Sequence, residues 1–583
     1  MKFTRAGIHC TDLNYLLLLP MCNPVKDNRD ACWPIAAASR IRVKVGDGDD
    51  GTSFCRLFHN SSTGAIELVP YEANNDERRS VYDDSDANIE DEPTYQSYLA
   101  TMKDENRVVL DSFHPDDVTG ANLSLEYNIN NPNTFLGMAN YAFAKFDIYS
   151  YPKQWKKGKC NKRKANHRHY ALDSRCCEDF ADARSIIQSI RKLAKLCNVQ
   201  NKSPLKCLVV LNPFSGGGGE SSKTGAKYVY SNIVKPMLEE AGVEHDALVT
   251  QRAGHARERM LLLDEAARKS NENELQKNEN DDEAEKQSTS INTDMEIKDI
   301  SQYDAIVAMG GDGILFEIFQ GIHARSDEET ILSKMKFGII ACGTCNGLVK
   351  SILHWSGCEY DHVESLFQIC KGHTSTLDLA TYTTASNSKS YVSFLSYTWA
   401  LIADVDYESE CLRWLGSLRI DAWAVYRGIL NQKRYPGRFS YLPPSGNGGG
   451  TNGTTTEVVM PKVGKPLPEG WISIEDDFMV FWVCNTSHAS YDVFSCPMAK
   501  MNDGLFHVLI VRSSCSRLRL AEILLKLESG KHIDCKAMEV IDCIAYQFEP
   551  LSDVSYNVLD GELLEDGPIQ ARIMPRGAQF FSG

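Results

Sequence analysis

The amino-acid sequence predicts an α/β plus β fold in three successive parts: a β-rich region over residues 1–200, a doubly wound α/β domain over 203–377 and a β-sandwich over 378–583. Three observations carry this. Before residue 200, short strand-like runs alternate with Gly, Asp and Asn turns. From Lys206, continuously apolar runs of strand length alternate with helical patterns. After about residue 376 that alternation stops and strand patterns dominate. A length of 583 residues accommodates two or three folded units.

In the first part, Ile41–Val45, Ala65–Val69 and Arg107–Leu110 read as strands. Over Asp182–Leu196 the spacing of Ile186, Ile187, Ile190, Leu193 and Leu196 predicts one apolar helical stripe. Strands closed by one amphipathic helix are similar in architecture to a pleckstrin-homology-like module. The acidic segment 46–51 lacks the later bidentate Glu of a calcium loop and reads as a solvated turn. Between residues 153 and 169, Lys153, Lys156, Lys157, Lys159, Lys162, Arg163, Lys164 and Arg168 surround Trp155. This reads as a solvated basic loop; the functional alternative is a patch drawing anionic lipid headgroups, with Trp155 at the interface.

In the second part, Cys207–Leu211, Ala305–Met309 and Phe337–Ala341 are apolar throughout, as strands buried on both faces are. Ile233–Ala241, Ala256–Lys269, Ile314–Arg325 and Asn346–Leu353 read as the intervening helices. Residues 271–299 carry ten acidic groups against three lysines and few large apolar ones, which predicts a disordered insertion. In the third part, Tyr391–Tyr397, Phe439–Leu442, Phe478–Val483, His507–Val511, Ile541–Phe548 and Ile569–Met574 are strand candidates. Helical patterns interrupt them at Glu408–Leu430 and Leu518–Leu527, and 443–470 is a Gly/Thr/Pro surface loop.

Composition narrows the partners. The 62 basic and 78 acidic residues leave a formal charge of -16, so nucleic acid is not the expected partner. Nineteen cysteines, an odd number without regular spacing, suit reduced thiols in a cytoplasmic setting. The apolar run Tyr15–Met21 behind Lys2 and Arg5 is too short to span a bilayer, and a lipid substrate would be met from the water side, by peripheral contact.

Three glycine-rich loops each follow a predicted strand. In Asn212-Pro213-Phe214-Ser215-Gly216-Gly217-Gly218-Gly219, glycine lets backbone N–H groups approach a phosphate, or simply makes a flexible turn. Gly310-Gly311-Asp312-Gly313 runs into a helix; Asp312 is either the helix cap or a base for an incoming hydroxyl beside a phosphate-binding helix terminus. Cys342-Gly343-Thr344-Cys345-Asn346-Gly347 again precedes a helix. Its C-x-x-C spacing also admits a thiol oxidoreductase, although such an enzyme has no need of the other two loops.

Together and in order, these segments resemble the diacylglycerol-kinase catalytic superfamily, and most closely its sphingosine kinases, over roughly Ser203–Gly583. The further matching blocks are Asp378-Leu379, the stretch Ala403-Asp404-Val405-Asp406 with Glu410, Arg413 and Arg419, and Asp560-Gly561-Glu562. The resemblance implies ATP and Mg²⁺ as cofactors and a sphingoid base as acceptor. It further implies a nucleotide site formed by Asn212, Pro213, Phe214, Thr250, Glu317, Gly343, Thr344, Cys345, Arg413, Arg419, Asp560, Gly561 and Glu562. Asp312 becomes the catalytic base, while Asp406, Gly310 and Ser396 contact substrate. A carboxylate at Asp406 suits the ammonium of a sphingoid base, which ceramide and diacylglycerol lack. In a regular strand, Asp404 and Asp406 would share one face, so spacing does not separate them. Two departures stand out: Cys345 occupies a family glycine position, and Gly310 stands where a substrate-contacting serine is frequent. The competing readings are a ceramide or diacylglycerol kinase, a NAD kinase, the thiol oxidoreductase and a non-catalytic lipid-binding module.

Overall fold

The computed structural model describes residues 32–34, 41–44, 52–60, 65–70, 111–127, 141–156, 159–172, 186–194, 196, 204–216, 225–263, 299–342, 346–385, 388–409, 411, 418–444, 458–461, 465–553 and 555–583. The acidic turn 46–51, the strand expected at Arg107–Leu110 and nearly all of the acidic insertion lie outside these residues.

Strands β1 (Lys206–Leu211), β2 (Glu244–Val249), β3 (Ala305–Gly310) and β4 (Lys336–Ala341) pair in parallel in the order β2-β1-β3-β4. The apolar runs are explained by coverage on both faces. Leu208, Val210, Ile306 and Ala308 join one core with α1 (His255–Leu262), α2 (Asp312–His323) and α3 (Gly347–Trp355). The alternate residues Cys207, Val209, Leu211, Ala305 and Val307 join a second core, with the helical segment 226–240 and α4 (His362–Lys371).

The strands that follow in the chain are β5 (Thr374–Thr384), β6 (Ser390–Ser393), β7 (Ser396–Ala400), β8 (Pro436–Leu442), β9 (Ile472–Cys484), β10 (Phe506–Arg512), β11 (Glu539–Cys543), β12 (Ala545–Pro550), β13 (Val558–Leu559), β14 (Glu562–Leu563) and β15 (Ile569–Phe581). They pair antiparallel with one another around an aromatic interior that includes Tyr382, Tyr397, Phe481, Tyr546 and Phe548. The end of β15 joins β4 in parallel through Lys336↔Gln579 and Phe337↔Phe580. The β-rich part is thereby hydrogen-bonded directly to the α/β sheet.

Two expectations change here. The single strand expected over Tyr391–Tyr397 is divided into β6 and β7 by a turn at Phe394–Leu395. Of the helix expected over Glu408–Leu430, the described residues show the end of α5 (Leu401–Glu408), which starts earlier, and α6 (Leu418–Val425) running into a π-helical turn, Tyr426–Leu430; residues 410 and 412–417 lie outside them. Buried Ala400, at φ 66°, makes the break between β7 and α5. A non-glycine residue held there is strained by its surroundings and carries no local sequence signal.

The basic segment is also not a loop, although Lys162 and Lys164 keep exposed side chains. Lys153–Lys156 and Lys159–Arg163 form a hairpin, and that hairpin docks on α4. Arg163 donates from Nε to Glu364 Oε2 at 2.8 Å and from Nη1 to Asp117 Oδ1 at 3.0 Å; its guanidinium lies 3.6 Å from the Phe367 ring centroid. Lys162 Nζ donates to Asp361 Oδ1 at 2.7 Å. Nearby, the Tyr151 hydroxyl donates to Glu240 at 2.6 Å, and Tyr151 belongs to the second core. Gly120 comes so close to the helical segment that an added Cβ would lie 1.8 Å from the Glu240 carbonyl oxygen. Only glycine allows that backbone approach.

Arg163 and Glu364 are both nearly buried, 9% and 5% exposed at their side chains. Removing one partner strands the other charge, so Arg163→Met should lower stability by about 3–5 kcal/mol. Adding Glu364→Gln should recover part of that loss. Denaturant titration of the two variants checks this, and equal losses would mean that charge stranding is not the cause.

Candidate active site

The parallel sheet ends its strands β1, β3 and β4 at one edge, where the three glycine-rich loops begin. The Asn212 N–H donates to the Met309 carbonyl at 3.0 Å, and Asn212 Oδ1 accepts from the Phe214 N–H at 3.0 Å. This turn leaves the Phe214 ring 77% exposed beside half-buried Pro213. A Cβ on Gly310 would lie 3.2 Å from Ser215 Oγ and 3.4 Å from Asn212 Cβ. The first two loops therefore touch, and the small residue at 310 is what permits it.

Asp312 begins α2, but its side chain makes no cap bond there. Its carboxylate instead accepts from the Gly347 N–H at 2.6 Å and the Leu348 N–H at 3.3 Å, at the start of α3. Burial pushes its pKa up to about 7. The two N–H groups oppose that rise, and the charge of Asp560 adds to it. A carboxyl that titrates near neutrality, at the mouth of a strand, is suited to proton transfer at physiological pH. Gly343, Thr344 and Cys345 lie outside the described residues. Cys342 is buried, and burial pushes its thiol up to about 12. Burial thus disfavours a thiolate at Cys342, which speaks against this cysteine as the attacking thiol of an oxidoreductase.

Asp560 occupies the left-handed region, at φ 51°. Its carboxylate accepts from the Ser393 hydroxyl at 2.7 Å and from the N–H groups of Phe394, Leu395 and Ser396 at 3.1, 3.0 and 2.9 Å. It thus braces the turn between β6 and β7 and places Ser396. Burial raises its pKa to about 6, against those donors. Gly561 is at φ 84°, and Glu562 comes back to the start of α2, its Oε1 lying 3.1 Å from where a Gly313 Cβ would be. Although Glu562 keeps an exposed edge, burial of its carboxyl raises its pKa, followed by the charges of Glu317, Asp406 and Asp560. These carboxylates share one electrostatic neighbourhood.

The other expected site residues divide. Glu317 accepts from the N–H groups of Gly254 and Ala256 at 2.8 and 3.1 Å, capping α1. Buried Thr250, at the end of β2, hydrogen-bonds to the Leu211 carbonyl through its N–H at 2.8 Å and its hydroxyl at 3.3 Å. Asp404 and Asp406 lie on helix α5, not on a strand, so they face different sides. Asp404 is wholly buried and accepts from Lys433 at 2.7 Å, the Ser555 hydroxyl at 2.7 Å and the Tyr435 hydroxyl at 3.0 Å. Asp406 is half-buried on the side towards Glu562. Arg419 stands in α6, and Arg413 lies outside the described residues. Sequence reasoning missed the α3 N–H pair and the Lys433–Tyr435–Ser555 set. A glycine starting a helix was the one visible signal for the first.

Residues 206–382 match the diacylglycerol kinase catalytic domain, and residues 473–581 match the YegS C-terminal NAD kinase beta sandwich-like domain. The chain is 30% identical over 381 residues to sphingosine kinase 2 of Arabidopsis thaliana, covering 63% of this chain and 70% of that one. The chain belongs to the sphingosine kinase family. It is also 29% identical to sphingosine kinase 1 of Homo sapiens, covering 65% of this chain and 91% of that one, and 28% identical to sphingosine kinase 1 of Mus musculus, covering 64% and 90%. The two domain matches agree with the observed α/β layer followed by a β-sandwich.

Asp560 tests how this site is held. Asp560→Ala orphans four donors at once and should cost about 3 kcal/mol or more, with Asp560→Asn losing less. Thermal denaturation of both variants measures it; wild-type stability in Asp560→Ala would show that the brace is dispensable.

Proposed function

We propose that the chain is an ATP-dependent lipid kinase that phosphorylates the primary hydroxyl of a sphingoid base. The observation that carries the reading is the Asp312 carboxyl, buried, titrating near neutrality and held by the α3 N-terminus at the edge where the loops converge. In the reaction, Asp312 takes the proton as the acceptor oxygen bonds to the γ-phosphorus, and the bond to the bridging oxygen breaks to release ADP. Asn212, Pro213, Phe214, Thr250, Glu317, Gly343, Thr344, Cys345, Arg413, Arg419, Asp560, Gly561 and Glu562 form the nucleotide side, Glu317 and Asp560 by holding its walls. Asp406 pairs with the acceptor's ammonium, with Gly310 and Ser396 beside it.

Among the described residues no three His, Cys, Asp or Glu side chains are gathered to hold a metal ion. Magnesium does not need such a cage, because it binds through one or two carboxylates and substrate phosphates, and Glu562 offers the carboxylate. When bound, it neutralises phosphate charge. No helix among the described residues is long and apolar enough to cross a membrane. In this reading the protein works from the cytoplasm by peripheral membrane contact, where its lipid acceptor lies. The β-rich region 1–200 would be a pleckstrin-homology-like unit, 203–377 the catalytic layer and 378–583 the lipid-binding sandwich.

The test is ATP consumption with sphingosine, ceramide and diacylglycerol in detergent micelles. Sphingosine should be turned over, and Asp312→Asn should lower kcat by roughly 10²–10⁴-fold. Undiminished turnover in that variant would remove Asp312 as base. Because the carboxyl must be ionised to accept a proton, kcat/KM should rise as pH climbs through about 7 and then level off. A flat profile between pH 5.5 and 8.5 would contradict this assignment.

A further inference from the structure

Strand β7 sends its side chains to two faces. Tyr397 and Trp399 enter the aromatic interior, against Tyr382, Tyr546 and Phe548. By the two-residue period, Ser396, Thr398 and Ala400 project the other way. Trp482 of β9 lies directly opposite Thr398 in the antiparallel register and shares its face. Both residues are more than nine-tenths buried, 8% and 5% exposed. Neither the Thr398 hydroxyl nor the Trp482 indole N–H has a hydrogen-bond partner among the described residues.

Two adjacent buried polar groups without partners are costly, and such groups in native proteins serve a bound water, ion or ligand. The position favours a ligand. Thr398 stands two residues along β7 from Ser396, roughly 7 Å at strand rise. The Ser396 N–H is held by Asp560, whose charge is felt by Asp312. Helix α5, which carries Asp406, lies against both β7 and β9. The pair is therefore a short step inward from the reaction centre, on strands otherwise apolar there: Ala400, Val480 and Leu509 are all buried.

We propose that Thr398 and Trp482 form a hydroxyl-recognising subsite, and that the preferred acceptor is a sphingoid base carrying an additional hydroxyl on its chain close to the headgroup. The indole N–H donates to that oxygen, and the threonine hydroxyl, which both donates and accepts, receives its proton. This rests on the sphingoid-base reading above and narrows it. An acceptor without the hydroxyl leaves both protein groups unpaired, which is how a polar site rejects a deoxy analogue. The indole of Trp399, also without a hydrogen-bond partner among the described residues, differs in setting: it faces the aromatic interior, edge-on to Tyr435.

The experiment compares kcat/KM for sphinganine and for 4-hydroxysphinganine, using the full chain and its Thr398→Val and Trp482→Phe variants. The wild type should favour the hydroxylated base by roughly tenfold or more. Each variant should move that ratio towards one. Thr398→Val is nearly isosteric, and its melting temperature shows whether it remains folded; Trp482→Phe gives an independent reading if it does not. A wild-type ratio near one overturns the proposal, as does a preference unchanged in folded Thr398→Val with raised thermal stability, the mark of a merely unsatisfied or hydrated hydroxyl. No phosphorylation of either base is a different failure: it overturns the acceptor reading itself, and the subsite with it.

Discussion

The carboxylate of Asp312 is anchored by two backbone N–H groups at the start of α3, and much of the site depends on that contact. It joins the loop after β3 to the helix after β4, so two glycine-rich segments far apart in sequence share one buried charge. The same burial that raises its pKa keeps water away from it, and the N–H pair stops the rise short of the value an uncompensated carboxyl would reach. Position and basicity therefore come from one arrangement.

Asp560 performs a comparable task on the β-rich side. By accepting from Ser393, Phe394, Leu395 and Ser396 it sets the turn from β6 into β7, and through it the placement of Ser396 and Thr398. The two anchors can only work together if the layers that bear them are fixed. Strand β15 does this, pairing with β5 and β12 along its length and with β4 at its end. On the far face of the α/β layer, the basic hairpin packs on α4, which covers β4 from behind. There Lys162 pairs with Asp361, and Arg163 pairs with Glu364 and Asp117, so these two side chains serve internal docking.

Much of this was legible beforehand where the physics is local. Cys207–Leu211 reads as a strand because every residue is apolar, and the structure covers it on both faces. The glycine-rich loops announce close backbone approach, and Gly310 indeed lies against Asn212 and Ser215. Asp404 and Asp406 could not be told apart, because a period of two and a helical turn assign them to different surroundings. The helix was hidden by its strained entry at Ala400. Glu317 and Asp560 were visible as acidic site residues, but not as the cap and the brace they are, since their partners are scattered in sequence.

By itself, the sequence determined the order of the parts, the two-faced burial of the parallel strands, the three loops and the carboxylates that belong with them. These follow from hydrophobic period, glycine content and residue type, all of which act over a few residues. Only the tertiary structure decided that Asp312 binds the next helix rather than capping its own, and that Asp404 is spent on Lys433, Tyr435 and Ser555 while Asp406 lies towards Glu562. It also decided that Arg163 of the basic hairpin turns inward onto Glu364 and that Thr398 meets Trp482 in a buried interior. Hydrogen-bond partners, burial and shifted pKa values depend on which distant residues are brought within a few ångströms, and chain spacing does not encode that distance.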